Sequence, residues 1–309
     1  MPDLAEHHTP SPPPDPGLSI CVLASGSSGN CTALVHRAEQ GSPRRVVLID
    51  AGLSPRRTAR LLAQRGIPMH EVDDIVFTHL DTDHCHRGWA SAVCPGGWRA
   101  RFRIHERHLG RAERAGLLFN TTVPFDDTLS IDGSLRARST MLSHDDLGVA
   151  AFRFDAVNAK RVARIGFATD LGRATHALAG LLGGVDLLAI ESNYCPDMQA
   201  CSDRPDFLKR RITGGSGHLS NHEAAQAVAR IAPRERVVLL HLSRQCNTPE
   251  AALRAHRLAT CPVELSSQVQ PTRWFHVQGR ALDNIPLPVA AGPRAQTLFD
   301  LESNDGAAW

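Results

Sequence analysis

The apolar positions of the chain fall into short, strand-length runs broken by Gly, Ser, Asp and Pro. Residues 18–24 form one such run. It passes through Ser25-Gly26-Ser27-Ser28-Gly29-Asn30 into a second at 31–36. That connection is longer than the two residues a hairpin turn requires. A third run, 45–49, ends in Asp50-Ala51-Gly52. Ser54 and Pro55 then open a helix, the serine as N-cap and the proline at the first position; it runs to about Arg65, where Gly66 stops it. A β-branched run at 74–78 leads straight into His79. Further strands are predicted at 128–131, 134–142, 148–155, 162–169, 185–191 and 237–240. Helices are predicted at 106–115, 173–182, 203–212 and 221–231, the last capped by Ser220, with another beginning near Pro249. No repeat of 20–50 residues is visible. Strands and helices alternate, and reactive side chains sit just past strand ends. This pattern predicts a layered α/β fold with its site at the strand C-termini.

The flanks differ in texture. Residues 1–17 hold six prolines and read as a disordered leader; 283–309 drift into Pro, Ala and Gly and read as a loose tail. The stretch 18–282 is left as the folded domain. Apolar residues make up 42% of the 309, enough for a sizeable core, which excludes wholesale disorder. With 34 basic and 32 acidic side chains the net charge is +2, which excludes a polyanion-binding tail but not a local basic groove. No stretch approaches ~18 uninterrupted apolar residues, so no membrane span is expected. The start has neither the basic nor the apolar region of a signal peptide, so a cytoplasmic protein is expected. Eight cysteines without a CxxC pair are expected to be reduced and individually buried.

The densest chemistry is Thr78-His79-Leu80-Asp81-Thr82-Asp83-His84, four potential ligands directly after a buried strand. Imidazole with carboxylate suits zinc, manganese or iron. A polar, solvated loop has the same composition. Three further strand-end residues weigh against that bland reading: His144, Asp170 and His241 each close an apolar run that aims them out of the core. Together these seven suffice for two metals bridged by a carboxylate.

The order His-x-x-x-Asp-His, later His, later Asp, final His resembles that of the metallo-β-lactamase superfamily. The flanking text is similar to its YycJ/WalJ-type phosphodiesterase and exonuclease branch: Ala24-Ser25-Gly26-Ser27-Ser28-Gly29-Asn30-Cys31-Thr32, Ile49-Asp50-Ala51-Gly52-Leu53, Gly217-His218-Leu219-Ser220-Asn221 and His241-Leu242-Ser243. The resemblance covers about residues 18 to 265 and implies a four-layer αββα sandwich with two divalent metal ions. One ion would take His79, Asp81 and His144, the other Asp83, His84 and His241, with Asp170 bridging. Such a pair acidifies a water and clamps an in-line phosphoryl displacement of a phosphodiester substrate, nucleic acid included. Asp83 would orient the attacking water. His218, just before a helix N-terminus, would contact phosphate or act as general acid; packing in its turn is the plainer alternative. Ser25, Ser27, Asn30, Ser220 and Asn221 complete a candidate phosphate cradle, and Asp50 would orient a ligand histidine from behind.

One ligand departs from the family pattern: Asp81 stands where a second histidine is expected. A carboxylate there tilts the expected metal from zinc towards manganese or iron. His86 is the substitute candidate, Gly88 is displaced by one step, and Cys85 reads as a buried thiol rather than a ligand. The runs at 99–103, with Arg107, Arg111 and Arg114, and at 209–211 either follow a nucleic-acid backbone or form solvated faces. A single tyrosine argues against a long base-stacking platform. Acyl or thioester hydrolysis on the same fold, di-iron redox chemistry and a non-catalytic metal-binding module are the rival readings.

Overall fold

The computed structural model describes residues 17–92, 100–158 and 160–282; the leader and tail expectations therefore fall almost wholly outside the described residues. In chain order the strands are β1 (Gly17–Ala24), β2 (Cys31–Arg37), β3 (Arg45–Ile49), β4 (Val72–Val76), β5 (Arg101–His105), β6 (Thr122–Phe125), β7 (Thr128–Ser130), β8 (Leu135–Leu142), β9 (Val149–Val157), β10 (Arg161–Ala168), β11 (Leu187–Glu191), β12 (Arg236–Leu240), β13 (Val263–Leu265), β14 (Phe275–Val277) and β15 (Arg280–Ala281). Two sheets result, ordered β14-β1-β2-β3-β4-β5-β6 and β13-β12-β11-β10-β9-β8-β7, with β15 added beside β10.

The sheets share one plan. Each begins as an antiparallel meander, β1-β2-β3 and β7-β8-β9-β10, and continues in parallel, β3-β4-β5-β6 and β10-β11-β12-β13. Parallel strands need crossovers, which helices supply on the outer faces. Leu18, Ile20 and Val22 of β1 turn inward onto Phe152, Phe154, Ile165 and Phe167 of the second sheet. Their neighbours Cys21 and Leu23 turn outward, into the layer that holds Leu61 and Leu62 of α1 (Pro55–Ala63). The second sheet carries a matching outer layer built on α4 (His176–Leu182), α7 (Asn221–Ile231) and α8 (Pro249–Ala255). The αββα sandwich thus follows from strands buried on both faces, which is why they read as unbroken apolar runs.

The run at 99–103 is neither a solvated face nor a backbone-following stripe over the part described. Arg101 and Arg103 lie in β5 and both bond the buried Asp74 of β4, at 2.7 and 2.6 Å. Charge concealed this strand. Its neighbour β6 carries Pro124, tolerated because β6 is the sheet edge. The predicted helix at 106–115 is a short turn followed by α3 (Leu109–Arg114), after the four-residue α2 (Trp89–Ala92). The 173–182 helix begins only at His176, after the Thr175 cap, and 203–212 becomes α6 (Asp206–Thr213), preceded by α5 (Pro196–Ala200).

Candidate metal centre and its cleft

The site lies where both sheets deliver strand ends. β4 leads into the loop of His79, Asp81, Asp83 and His84; β8 is followed by His144; and the parallel neighbours β10, β11 and β12 end at Asp170, Glu191 and His241. Asp50, Asp170 and His241 have φ of 61°, 52° and 53°, a left-handed conformation that costs a non-glycine residue about 1–3 kcal/mol. The strain turns each side chain sharply off its strand. The His79–His84 loop is held by backbone: Asn30 N–H donates to the Asp83 carbonyl at 2.7 Å, and a Cβ on Gly52 would sit 1.7 Å from that oxygen. Only glycine fits at position 52.

The donor atoms converge. His79 Nε2 is 3.7 Å from Asp170 Oδ2 and 3.8 Å from Asp81 Oδ2. Asp83 Oδ2 is 3.8 Å from His84 Nε2 and 3.9 Å from His241 Nε2. Asp170 touches His84 through one oxygen and His241 through the other. Such spacings suit atoms that share an ion at about 2.0–2.2 Å. His79, His144 and Asp170 form one group able to hold a metal, and Asp170, Glu191, His218 and His241 a second. His79 Nε2, Asp170 Oδ1 and both ring nitrogens of His241 are buried without a properly directed hydrogen bond. Unpaired buried polar atoms are costly, and a cation among them removes that cost, so the donor set fits a divalent metal.

The rings are oriented from behind. His84 Nδ1–H donates to the buried Asp50 at 2.7 Å, and His144 Nδ1–H donates to the Gly217 carbonyl at 3.1 Å. His79 Nδ1 bonds the Thr78 hydroxyl at 3.0 Å, which in turn bonds Asp50. Each leaves Nε2 facing the cluster. Burial disfavours charge on His84, but Asp170 and Asp50 overcome it and hold its pKa well above the usual histidine range. Burial likewise pushes Asp170 up, and the imidazoles of His241 and His84 hold it well below the carboxylate range. His79 is drawn well below its usual value by burial and by the charge on His84.

The cluster floors a cleft of about 310 Å³, lined also by Ser27, Arg204, Arg211, Gly217, His218 and Ser243. His218 Nδ1 stands 3.4 Å from both Glu191 Oε2 and Asp170 Oδ1. Burial opposes its protonation, but Glu191 and Asp170 raise its pKa to about 10. Glu191 is itself fixed by the amides of Leu219, at 2.6 Å, and Leu171, at 3.1 Å.

A family model described as a beta-lactamase superfamily domain matches residues 45–242. The chain belongs to that superfamily. Among its relatives, the exodeoxyribonuclease YycJ of Bacillus anthracis is 29% identical over 245 residues, 76% of this chain and 86% of YycJ. The exodeoxyribonuclease WalJ of Streptococcus pneumoniae is 28% identical over 249 residues, with the same coverage. The metallo-β-lactamase fold protein YhfI of Bacillus subtilis superimposes with a TM-score of 0.62 over 84% of this chain and all of YhfI, at 16% identity. That likeness shows the fold. Among the described residues no helix is long and apolar enough to cross a membrane.

Within this superfamily fold, all seven candidate ligands and His218 meet in one place. The phosphate cradle does not. Ser25 is buried, donating to Asn30 and accepting the His241 N–H at 2.9 Å. Asn30 is spent on Gly26 and the Asp83–His84 loop. Ser220 caps α7 in a box with Glu223, and Asn221 is buried against Ser192 and Asn247. Of the cradle residues other than His218, only Ser27 faces the cleft. His86 accepts from Gly88 N–H; like Asp81, Asp83 and His84 it lies outside both groups, but those three have carboxylate or imidazole atoms against the cluster. Cys85 is a buried thiol whose pKa burial pushes to about 12. Neither Glu191 nor Arg204 is among the residues singled out from the sequence, and Arg111 is marked there only as part of a basic run, whereas the structure sets that side chain on Asp81 at 2.6 Å. Glu191 closes an apolar run as Asp170 and His241 do, so the same signal marks it.

Proposed function

We propose that this superfamily hydrolase is a metal-dependent phosphodiesterase acting on nucleic acid, as the names of its exodeoxyribonuclease relatives suggest. The unpaired buried atoms of His79, Asp170 and His241 at the floor of the cleft carry the reading. His79, Asp81 and His144 would hold one divalent ion, Asp83, His84 and His241 another, and Asp170 both; Asp81 favours manganese or iron beside zinc. Bound ions there would acidify a water and take up charge on the phosphoryl oxygens. Asp83, a quarter exposed at the cleft floor, orients the attacking water. Glu191 fixes His218 by one ring nitrogen, so that the other faces the cleft and donates a proton to the leaving oxygen. Arg204 donates to the neutral groups Gln199, Ser243 and Gln245, which leaves its charge for the substrate's phosphates. Arg211 adds a second cation to the same rim.

Elemental analysis of the purified protein, paired with digestion of a labelled oligodeoxynucleotide, tests this. Two ions per chain and shortened products are expected. Asp170→Asn should retain less than one ion and lose more than about 100-fold in rate, since even outer partners of such ligands are worth 10–100-fold. Absence of both metal and product under added zinc, manganese and iron would leave the non-catalytic reading in its place.

A further inference from the structure

Away from the metal cluster, five arginines, Arg136, Arg138, Arg153, Arg164 and Arg280, line a cleft of about 640 Å³ with one carboxylate, Asp155. Arg164 lies six residues before Asp170 along β10, about 20 Å at ~3.3 Å per residue. Arg164, Gly166 and Ala168 alternate onto the outer face of the second sheet. Gly166 and Ala168 are covered by the layer of Leu182, Val185 and Leu188, and past the end of α4 at Gly183 and Gly184 the face lies open.

The register crowds charge there. Arg138 is directly opposite Arg153, and Asp155 lies between Arg136 on one side and Arg164 on the other. Like charges directly opposite oppose pairing of the strands. Asp155 is already shared, by Arg153 at 2.8 Å and Arg164 at 3.2 Å. Arg280 reaches Asp186 only at 3.8 Å, and Arg234 approaches the same oxygen at 3.4 Å. Arg136 and Arg138 have no ion-pair partner among the described residues. Five cations less one anion leave +4 in this cleft, against +2 for the whole chain. Burial and the facing Arg153 draw Arg138 below its usual pKa, and burial and Arg234 do the same to Arg280. Burial is the larger cause of both shifts, and the repulsion that adds to it is the part an anion would relieve. Guanidinium forks in adjacent rows match phosphate oxygens bidentately.

We propose that the arginine cleft is a second binding site, for the phosphate backbone of a polynucleotide, remote from the metal cluster. Its choice of a polynucleotide over a free polyphosphate rests on the phosphodiesterase reading.

Fluorescence anisotropy tests the site with catalysis stopped by EDTA, using a labelled single strand of about 20 nucleotides, long enough at ~3.4 Å each to span both sites. The double variant Arg136→Gln/Arg138→Gln changes exposed strand positions, and its melting midpoint reports that it folds. It should weaken binding at least about tenfold and reduce the slope of log K against log salt by about 1.4, ~0.7 per lost phosphate contact. Arg136→Lys/Arg138→Lys should restore the slope. ATP should compete only at far higher phosphate concentration than unlabelled strand. Unchanged affinity and slope in the glutamine pair would overturn the proposal, and so would equal competition by ATP. A chain that digests no DNA with metal yet binds in this charge-dependent way loses the functional reading and keeps the cleft; digestion with an unaltered glutamine pair removes the cleft alone.

Discussion

On one side of Asp170, His84 and His241 are held from behind by buried groups. Asp50 takes the His84 Nδ1–H, Ser25 takes the His241 backbone N–H, and the Asn193 amide donates to the His241 carbonyl at 2.7 Å. On the other side the supports are a threonine hydroxyl, one carbonyl and, for Asp81, a pull outward. Arg111 binds Asp81 at 2.6 Å while bonding Asp145 at 3.1 Å, with all three side chains about a third exposed. The ligand types on the two sides are similar. Rigidity and net anionic charge are not, so the His84 side should bind its ion first and more tightly. What stands behind a ligand decides its strength as much as the ligand itself.

Removing that backing should have the largest effect. Asp50→Asn keeps the shape but withdraws the charge behind His84. Metal affinity on that side should fall about 10–100-fold. Competition against a chelator measures it, and the His79 side, which Asp50 reaches only through the Thr78 hydroxyl, should move less. Equal losses on both sides would erase the asymmetry.

How much of this was legible depended on where charge and strain lie. The apolar runs gave most strands, because both faces of each sheet are buried and nothing interrupts the pattern. β5 was missed because Arg101 and Arg103 pair with the buried Asp74 of the preceding strand, 27 and 29 residues earlier in the chain, and periodicity cannot pair charges. The ligands were legible as strand-end residues. The strained φ of Asp50, Asp170 and His241 that aims them was not, since only glycine announces such backbone. Ser25 and Asn30 were found as a polar turn but assigned outward. The structure turns them inward, onto His241 and the Asp83–His84 loop, because the turn is pinned between the two sheets.

The backing of the His84 side continues past Glu191. Ser192 bonds Asn221 at 2.7 Å and His256 Nε2 at 3.3 Å, while His256 Nδ1 is buried with no partner. Burial lowers the His256 pKa from 6.5 to about 4, because a second proton would place an unpaired charge in the core. The unfolded chain binds that proton more readily. Stability from this residue is therefore intact above about pH 6.5, falls as pH drops towards 4 and levels below it. The loss is at most about 3.5 kcal/mol, at ~1.4 kcal/mol per pKa unit, and less once water enters. Thermal melts of His256→Leu against the parent, between pH 7 and 4, should show a shallower acid limb. An unchanged limb would place the acid-sensitive group elsewhere.

The smallest effect is expected on the exposed side, and it is the one that bears most directly on Asp81. A surface ion pair is worth about 0–1 kcal/mol, so Arg111 alone cannot hold Asp81 away from an ion that binds strongly. Arg111→Gln frees Asp81 Oδ1 and removes a positive charge near His79 Nε2. Affinity for the second ion should then rise about two- to fivefold, the equivalent of ~0.4–1 kcal/mol. Asp81→His, which gives that side a third imidazole, should raise zinc retention over manganese. Ion counts after stepwise dialysis separate the cases. A gain in both variants makes Arg111 the reason that side is weak. A gain in Asp81→His alone puts the weakness in the carboxylate itself. A loss in Arg111→Gln would mean that the arginine holds Asp81 in ligating position, which reverses the order of strength between the two sides.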